Sequence, residues 1–235
     1  MRVELEPAYI LHTRPYRETS LLVYALTQEH GLMHMVCRGA RKKGSHQLQP
    51  FIKMQLSWTG KGELVTLTKY ELEKSSYRND FRTHIQCFYV HELILALLPK
   101  MSPAPELFEC YEQTLAEMTA APLNEAVLRF FEIHLLTIIG HPLQLEYDCH
   151  TEQAVLPEAE YLYQPDSGPT LITAGSTGSA QPGGWNRVSG HILRQLHQQE
   201  LAQQDWPQAK SFLRGLIKYY LDGKPIMTRQ LLGAK

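Results

Sequence analysis

The sequence has no uninterrupted apolar run approaching the ~18 residues that cross a bilayer. Its start, Met1-Arg2-Val3-Glu4-Leu5-Glu6, has neither the basic region nor the apolar region of a secretory signal. Its four cysteines, at 37, 87, 110 and 149, show no paired spacing and read as reduced thiols of a cytoplasmic protein. The phosphate-loop pattern is missing, because Lys224 is followed by Pro225. Gly175-Ser176-Thr177-Gly178 lacks nucleophile-elbow spacing. His91-Glu92 lacks the second histidine of a zincin, Leu95 standing in its place. His84, Cys87 and His91 share a helix face with ligand-like spacing, but a packed helix flank gives the same pattern. Cys149-His150 has no Cys-x-x-Cys pair to join. The expectation is a non-enzymatic protein without metal or cofactor.

What is present is an ordinary globular composition, 43% hydrophobic and 20% charged over 235 residues. The net charge of −1 conceals three blocks. Residues 1–82 carry 13 Lys/Arg against 8 Asp/Glu, residues 83–160 carry 2 against 12, and residues 161–235 carry 8 against 4. A basic block is a candidate surface for a polyanion; uneven solvation of an ordinary surface is the alternative.

The first 75 residues punctuate as an all-β unit. Short β-forming runs at 8–12, 19–27 and 32–37 are broken by Arg14-Pro15, by Glu29-His30-Gly31 and by Gly39 and Gly44. A fourth run sets Ile52, Met54, Leu56 and Trp58 on one side and Lys53, Gln55 and Ser57 on the other, the period of a half-buried strand. Gly60-Lys61-Gly62 turns the chain into a fifth strand, Glu63 to Leu72. Five short strands suit a small closed barrel, and an oligonucleotide-binding (OB) fold has this size. From about residue 80 the period becomes helical. Helices are expected over 81–98, from Ser102-Pro103-Ala104-Pro105 through Met118, and from Asn124, an N-cap, to Ile139 as the centre of a bundle. Residues 143–185 lose that period, with a hairpin pairing Tyr161-Leu162-Tyr163 and Thr170-Leu171-Ile172 and a glycine-rich loop at 175–184. Helices resume at about 187–201 and 207–221. The predicted class is α+β: an OB barrel over 1–80, then a mainly helical domain over 81–235 with an insertion at about 143–185.

Arg38-Gly39-Ala40-Arg41-Lys42-Lys43-Gly44 places four cations in six residues between two strands, a loop suited to lie along phosphates. Arg14 and Arg17 flank another turn with Tyr16 between them as a stacking ring, and Lys61 sits at the rim. Such basic loops also serve solubility alone. Trp58, by its alternation, belongs in the core rather than against a base.

Leu11-His12-Thr13-Arg14-Pro15-Tyr16-Arg17-Glu18-Thr19-Ser20-Leu21-Leu22 and Arg38-Gly39-Ala40-Arg41, with Gln49-Pro50-Phe51 downstream, resemble the bacterial recombination mediator family RecO. So do Gly60-Lys61-Gly62-Glu63-Leu64, Tyr89-Val90-His91-Glu92-Leu93, Leu128-Arg129-Phe130-Phe131-Glu132 and Gly223-Lys224-Pro225-Ile226. The resemblance implies an N-terminal OB fold, a helical domain and a cytoplasmic, nucleoid-associated repair protein. It implies binding of single- and double-stranded DNA, annealing of complementary strands, and loading of the recombinase RecA onto strands coated by the single-strand-binding protein SSB. RecR, and in many bacteria RecF, are the implied partners. The SSB tail, acidic and ending in Phe, would bind the helical domain, where Arg129 matches the family's arginine. A pair with Glu125 or Glu132 on the same helix is the alternative for Arg129. Many RecO proteins carry a four-cysteine zinc module after the central helices. Here that region holds only Cys149, so no zinc is expected and the hairpin and glycine-rich loop take the module's place. An RNA-binding OB protein and a protein-docking adaptor remain as competing readings.

Overall fold

The computed structural model describes residues 1–41, 48–73, 81–121, 124–173 and 186–228. Five strands, β1 (Arg2–Tyr16), β2 (Ser20–Thr27), β3 (Gly31–Cys37), β4 (Lys53–Thr59) and β5 (Leu64–Leu72), close into a barrel of order β1-β2-β3-β5-β4. All neighbours are antiparallel except β3 and β5, which run parallel. This is the expected five-stranded OB-type barrel. Alternation fills its interior with Ala8, Ile10, Val23, Ala25, Met33, Met35, Met54, Leu56 and Trp58. Trp58 is 1% exposed, a core residue. Closure pairs both edges of the sheet and leaves no exposed edge.

β1 is far longer than the 8–12 run suggested, because it pairs with β2 along one half and β4 along the other. Its register against β2 shifts between Ile10 and His12: Ile10 faces Ala25, while His12 faces Tyr24. Leu11 is thus an inserted residue, a bulge that reverses the inside–outside parity of everything after it. Its carbonyl meets the first helix, α1 (Phe81–Leu97). His91 Nδ1 lies 2.8 Å from Leu11 O and Nε2 lies 2.6 Å from Tyr111 Oη, on the second helix α2 (Pro105–Ala120). A carbonyl only accepts, so Nδ1–H donates to Leu11 and Nε2 accepts from Tyr111, which fixes the neutral tautomer. Tyr9 on β1 donates to Glu112 of α2 (2.8 Å), and Lys53 pairs with the same carboxylate (2.6 Å). Gly31 has φ +68°, and a Cβ there would stand 1.9 Å from Ser102 O, so the β2–β3 turn accepts only glycine.

By proximity the residues fall into two compact units, Met1–Leu123 with Ile226–Lys235, and Asn124–Pro225. α1 and α2 therefore accompany the barrel. The C-terminal stretch returns to that unit through Glu92, whose carboxylate accepts the backbone N–H groups of Met227 (3.0 Å) and Thr228 (2.8 Å). Glu92, a charge within α1's apolar pattern, is explained by these hydrogen bonds.

In the second unit α3 (Glu125–Ile138) packs on α5 (Trp206–Tyr220). Asn124 caps α3 as expected, accepting from Ala126 N at 3.1 Å. The expected hairpin is present as β6 (Glu160–Gln164) and β7 (Gly168–Leu171). A third strand, β8 (Asn186–Ser189), pairs with β6's other edge. The helix expected from residue 187 therefore begins only at Gly190, as α4 (Gly190–Gln198), because edge pairing claims the four residues before it. The 175–184 loop lies outside the described residues. Asp148 anchors the segment before the hairpin: Oδ1 accepts from His150 N (2.9 Å) and Thr151 N (2.7 Å), and Oδ2 from Leu171 N (2.6 Å). Burial opposes its ionisation, but these hydrogen bonds outweigh burial and hold its pKa below the ordinary 3.8.

These two buried groups give stability a defined pH dependence. Burial pushes His91 from 6.5 down to about 3, against the hydrogen bond to Leu11 and with a smaller contribution from His12. Its contribution to stability is complete above pH 6.5 and is lost as pH falls from there toward 3, at up to about 1.4 kcal/mol per unit. In urea titrations between pH 7 and pH 4, His91→Leu should be less stable at pH 7 but show a shallower decline than the parent. Asp148→Ala should cost about 2 kcal/mol at pH 7. Because Asp148's pKa is depressed, its contribution is present above 3.8 and disappears as pH falls through the folded value. The gap from the parent should accordingly narrow below about pH 4, in urea titrations extended to about pH 2.

Candidate nucleic-acid interface

The β1–β2 turn and the segment after β3 meet at one end of the barrel. Arg41 N donates to Thr19 O (3.0 Å), and the Arg41 guanidinium reaches Arg17 O (3.3 Å) and Glu18 O (3.2 Å). Arg41 thereby clamps the two turns together. Arg14, Arg17, Arg38 and Arg41 are all exposed and gather at this end. Arg17, at φ +52°, occupies a turn position that glycine or asparagine takes at less cost. Its guanidinium lies 5.3 Å from the centre of the half-buried Tyr16 ring, so the sequence-derived ring and cation are joined. Lys42 and Lys43 lie outside the described residues.

Lys61 is exposed but belongs to the opposite end. It precedes Leu64, which pairs with His34 near the start of β3, whereas Arg38 follows the end of β3. Its neighbourhood holds Lys100, paired with Glu63 at 3.0 Å.

Three rings that no sequence motif marks form a row across the outer face of the strands between the two ends. His12, Tyr24 and His34 occupy facing positions on β1, β2 and β3. Their centroids are 5.6 Å apart for His12–Tyr24 and 4.5 Å for Tyr24–His34. Arg14 lies over Tyr24, its Cζ 5.7 Å from the ring centre. Alternation alone sends Tyr24 and His34 outward, since Val23, Ala25, Met33 and Met35 fill the core. His12 joins them only through the Leu11 bulge, which no sequence pattern announced.

The His84, Cys87 and His91 spacing does not become a ligand set. Both ring nitrogens of His91 are engaged by Leu11 and Tyr111, and Cys87 Sγ lies 3.6 Å from Met118 Sδ. Among the described residues no group of three His, Cys, Asp or Glu side chains is placed to hold a metal ion. No disulfide joins the four cysteines, and no helix described is long and apolar enough to cross a membrane.

Arg129 is buried, at 4% exposure, with Nη2 2.6 Å from Glu132 Oε1. Glu125 is taken by Lys210 of α5 at 3.0 Å, so Glu132 is the partner on α3. Arg129 Nε has no hydrogen-bond partner among the described residues. Removing one member of a buried ion pair strands the other's charge, whereas replacing both with apolar groups does not. Arg129→Ala should lower the midpoint of urea unfolding, by about 3–5 kcal/mol in stability. Arg129→Met combined with Glu132→Leu should recover most of that loss.

Comparison with known proteins agrees with this architecture. Residues 1–76 match the family model described as Recombination protein O N terminal, and residues 78–230 match Recombination protein O C terminal. The chain is 38% identical over 236 residues to the DNA repair protein RecO of Nitrosococcus oceani, covering 99% of this chain and 94% of that protein. It is 37% identical over 234 residues to the protein of the same name from Methylococcus capsulatus, covering 98% and 93%. For that of Cellvibrio japonicus the identity is 35%, covering 98% and 97%. Matched in both parts and along nearly the whole length of these relatives, the chain belongs to the Recombination protein O family of DNA repair proteins.

Proposed function

We propose that this protein is a non-enzymatic mediator of recombinational repair that binds single- and double-stranded DNA through the cationic end of its barrel and anneals complementary strands. The observation that carries this reading is the clamp of Arg41 on the β1–β2 turn, at the end of the barrel where Arg14, Arg17 and Arg38 are also exposed. Guanidinium groups set around a turn neutralise phosphates without occupying base edges. Two strands of like charge can then approach while their bases stay free to pair.

Assistance to RecA on SSB-coated strands, with RecR and in some settings RecF, extends this role through the family's activity. Lys42, Lys43 and Lys61 would add to the electrostatic field. In this reading the acidic tail of SSB docks on the second unit. Contact with Arg129 then requires uncovering its buried guanidinium, whose Nε is a donor without a partner among the described residues.

The test is fluorescence anisotropy of a labelled ~30-nucleotide single strand over a series of salt concentrations, with annealing followed in the same samples. Combined replacement of Arg14, Arg17 and Arg38 by alanine should weaken binding about equally across sequences. It should also reduce the log–log salt slope by about 0.7 for each phosphate that is no longer neutralised, roughly 2 in all. Unchanged binding and annealing by this variant would move the function away from the barrel. Affinity for single-stranded RNA equal to that for DNA would favour the RNA-binding alternative.

A further inference from the structure

All three carbonyls of the β1–β2 turn are taken by one residue. Arg41 N donates to Thr19 O at 3.0 Å, while Arg41 Nη1 donates to Glu18 O at 3.2 Å and to Arg17 O at 3.3 Å. Nothing else lies in the turn, since Tyr16 and Ser20 already face each other across β1 and β2. A carbonyl oxygen carries partial negative charge, so three left bare here would meet an approaching phosphate with the wrong sign. Arg41 covers them. It also braces a turn in which Arg17 stands at φ +52°, a conformation that a non-glycine residue keeps only where its surroundings fix it. Arg17 in turn carries its guanidinium to the Tyr16 ring.

Nη1 has two protons, one for each of the carbonyls it meets, so this part of the guanidinium is spent on the protein itself. A planar fork can span two acceptors in this way; a lysine ammonium on its flexible stem does not hold them in one geometry. The bonds lie at an exposed position and add little to the stability of the barrel as a whole. Their effect is local. They order the turn that carries Arg17, and ordering a binding group beforehand lowers what association costs. We infer that Arg41 is a positioning residue for nucleic-acid binding, acting through the β1–β2 turn rather than as one more phosphate contact. This rests on the DNA-binding reading above and divides its cations by role. Arg14, Arg17 and Arg38 neutralise phosphates, and Arg41 fixes the turn from which Arg17 does so. The two roles differ in a measurable way: a lost phosphate contact changes the salt slope, and a loosened turn changes affinity alone.

The test follows the labelled single strand by anisotropy over the salt series, with Arg41→Lys and Arg38→Lys compared in the full chain. Arg41→Lys keeps the charge and loses the fork. It should bind about fivefold more weakly than the parent at every salt concentration, with the log–log slope unchanged. Arg38→Lys, where charge is what counts, should stay within about twofold of the parent. The urea midpoint of Arg41→Lys should match the parent's. Parent affinity in Arg41→Lys would mean that charge suffices, and a slope lower by about 0.7 would mean a lost phosphate contact; either overturns the positioning role. Equal losses in the two lysine variants, or a lowered midpoint in Arg41→Lys, would overturn it as well. No binding by the parent at low salt, or unchanged binding once Arg14, Arg17 and Arg38 are all alanine, would instead overturn the DNA-binding reading beneath it.

Discussion

The inserted residue at Leu11 is the constraint on which most of the first unit depends. In an uninterrupted strand, Ala8 and Ile10 pointing inward would send His12 inward as well, placing an imidazole among the methionines of the barrel. The bulge prevents this. It turns His12, and with it Arg14, to the outer face beside Tyr24. It also frees the Leu11 carbonyl from the ladder to accept from His91, tying α1 to the barrel. One extra residue thus sets both the attachment of the helices and the make-up of the surface proposed to meet nucleic acid.

A second theme is that the polar residues within apolar helices hold the chain together at long range. His91 reaches Leu11 and Tyr111, and Glu92, the next residue, receives the backbone of Met227 and Thr228. Arg129 and Glu132 form a pair within α3, and Glu125 reaches Lys210 on α5. His91, Arg129 and Glu132 would be costly to bury alone and are tolerated because each has a partner of matching chemistry. The links from His91 to Leu11, from Glu125 to Lys210 and from Glu92 to Met227 span 80, 85 and 135 residues of chain. The sequence singled out His91 by its spacing and Arg129 by resemblance, with Glu125 or Glu132 as its alternative partner, but it showed none of these long-range links.

The segment before the hairpin is organised by a carboxylate. Asp148 gathers three backbone N–H groups, Cys149 N donates to Pro169 O, and a three-stranded sheet of order β7-β6-β8 follows. Ordinary hydrogen bonds and the burial of Tyr161 and Tyr163 supply the constraint. The sequence disclosed the hairpin through its turn residues. It did not disclose β8, whose four residues lack any alternation of their own and become a strand by pairing with β6.

Local pattern determined a good deal by itself. Alternation and turn residues specified five short strands, the helical period specified α2 with its stripe from Leu107 to Met118, and Asn124 announced the start of α3. The basic turn residues were legible too, since Arg14, Arg17, Arg38 and Arg41 stand out by charge alone. Which of them share an end was a matter of register. Antiparallel pairing of β1 with β2 and of β2 with β3 brings residues 14–17 beside 38–41, and parallel pairing of β3 with β5 carries Lys61 to the other end. Register, parity after a bulge and the partners of buried polar groups are pairwise properties of residues far apart in the chain. They exist only once the barrel has closed, and a one-dimensional pattern holds no record of them.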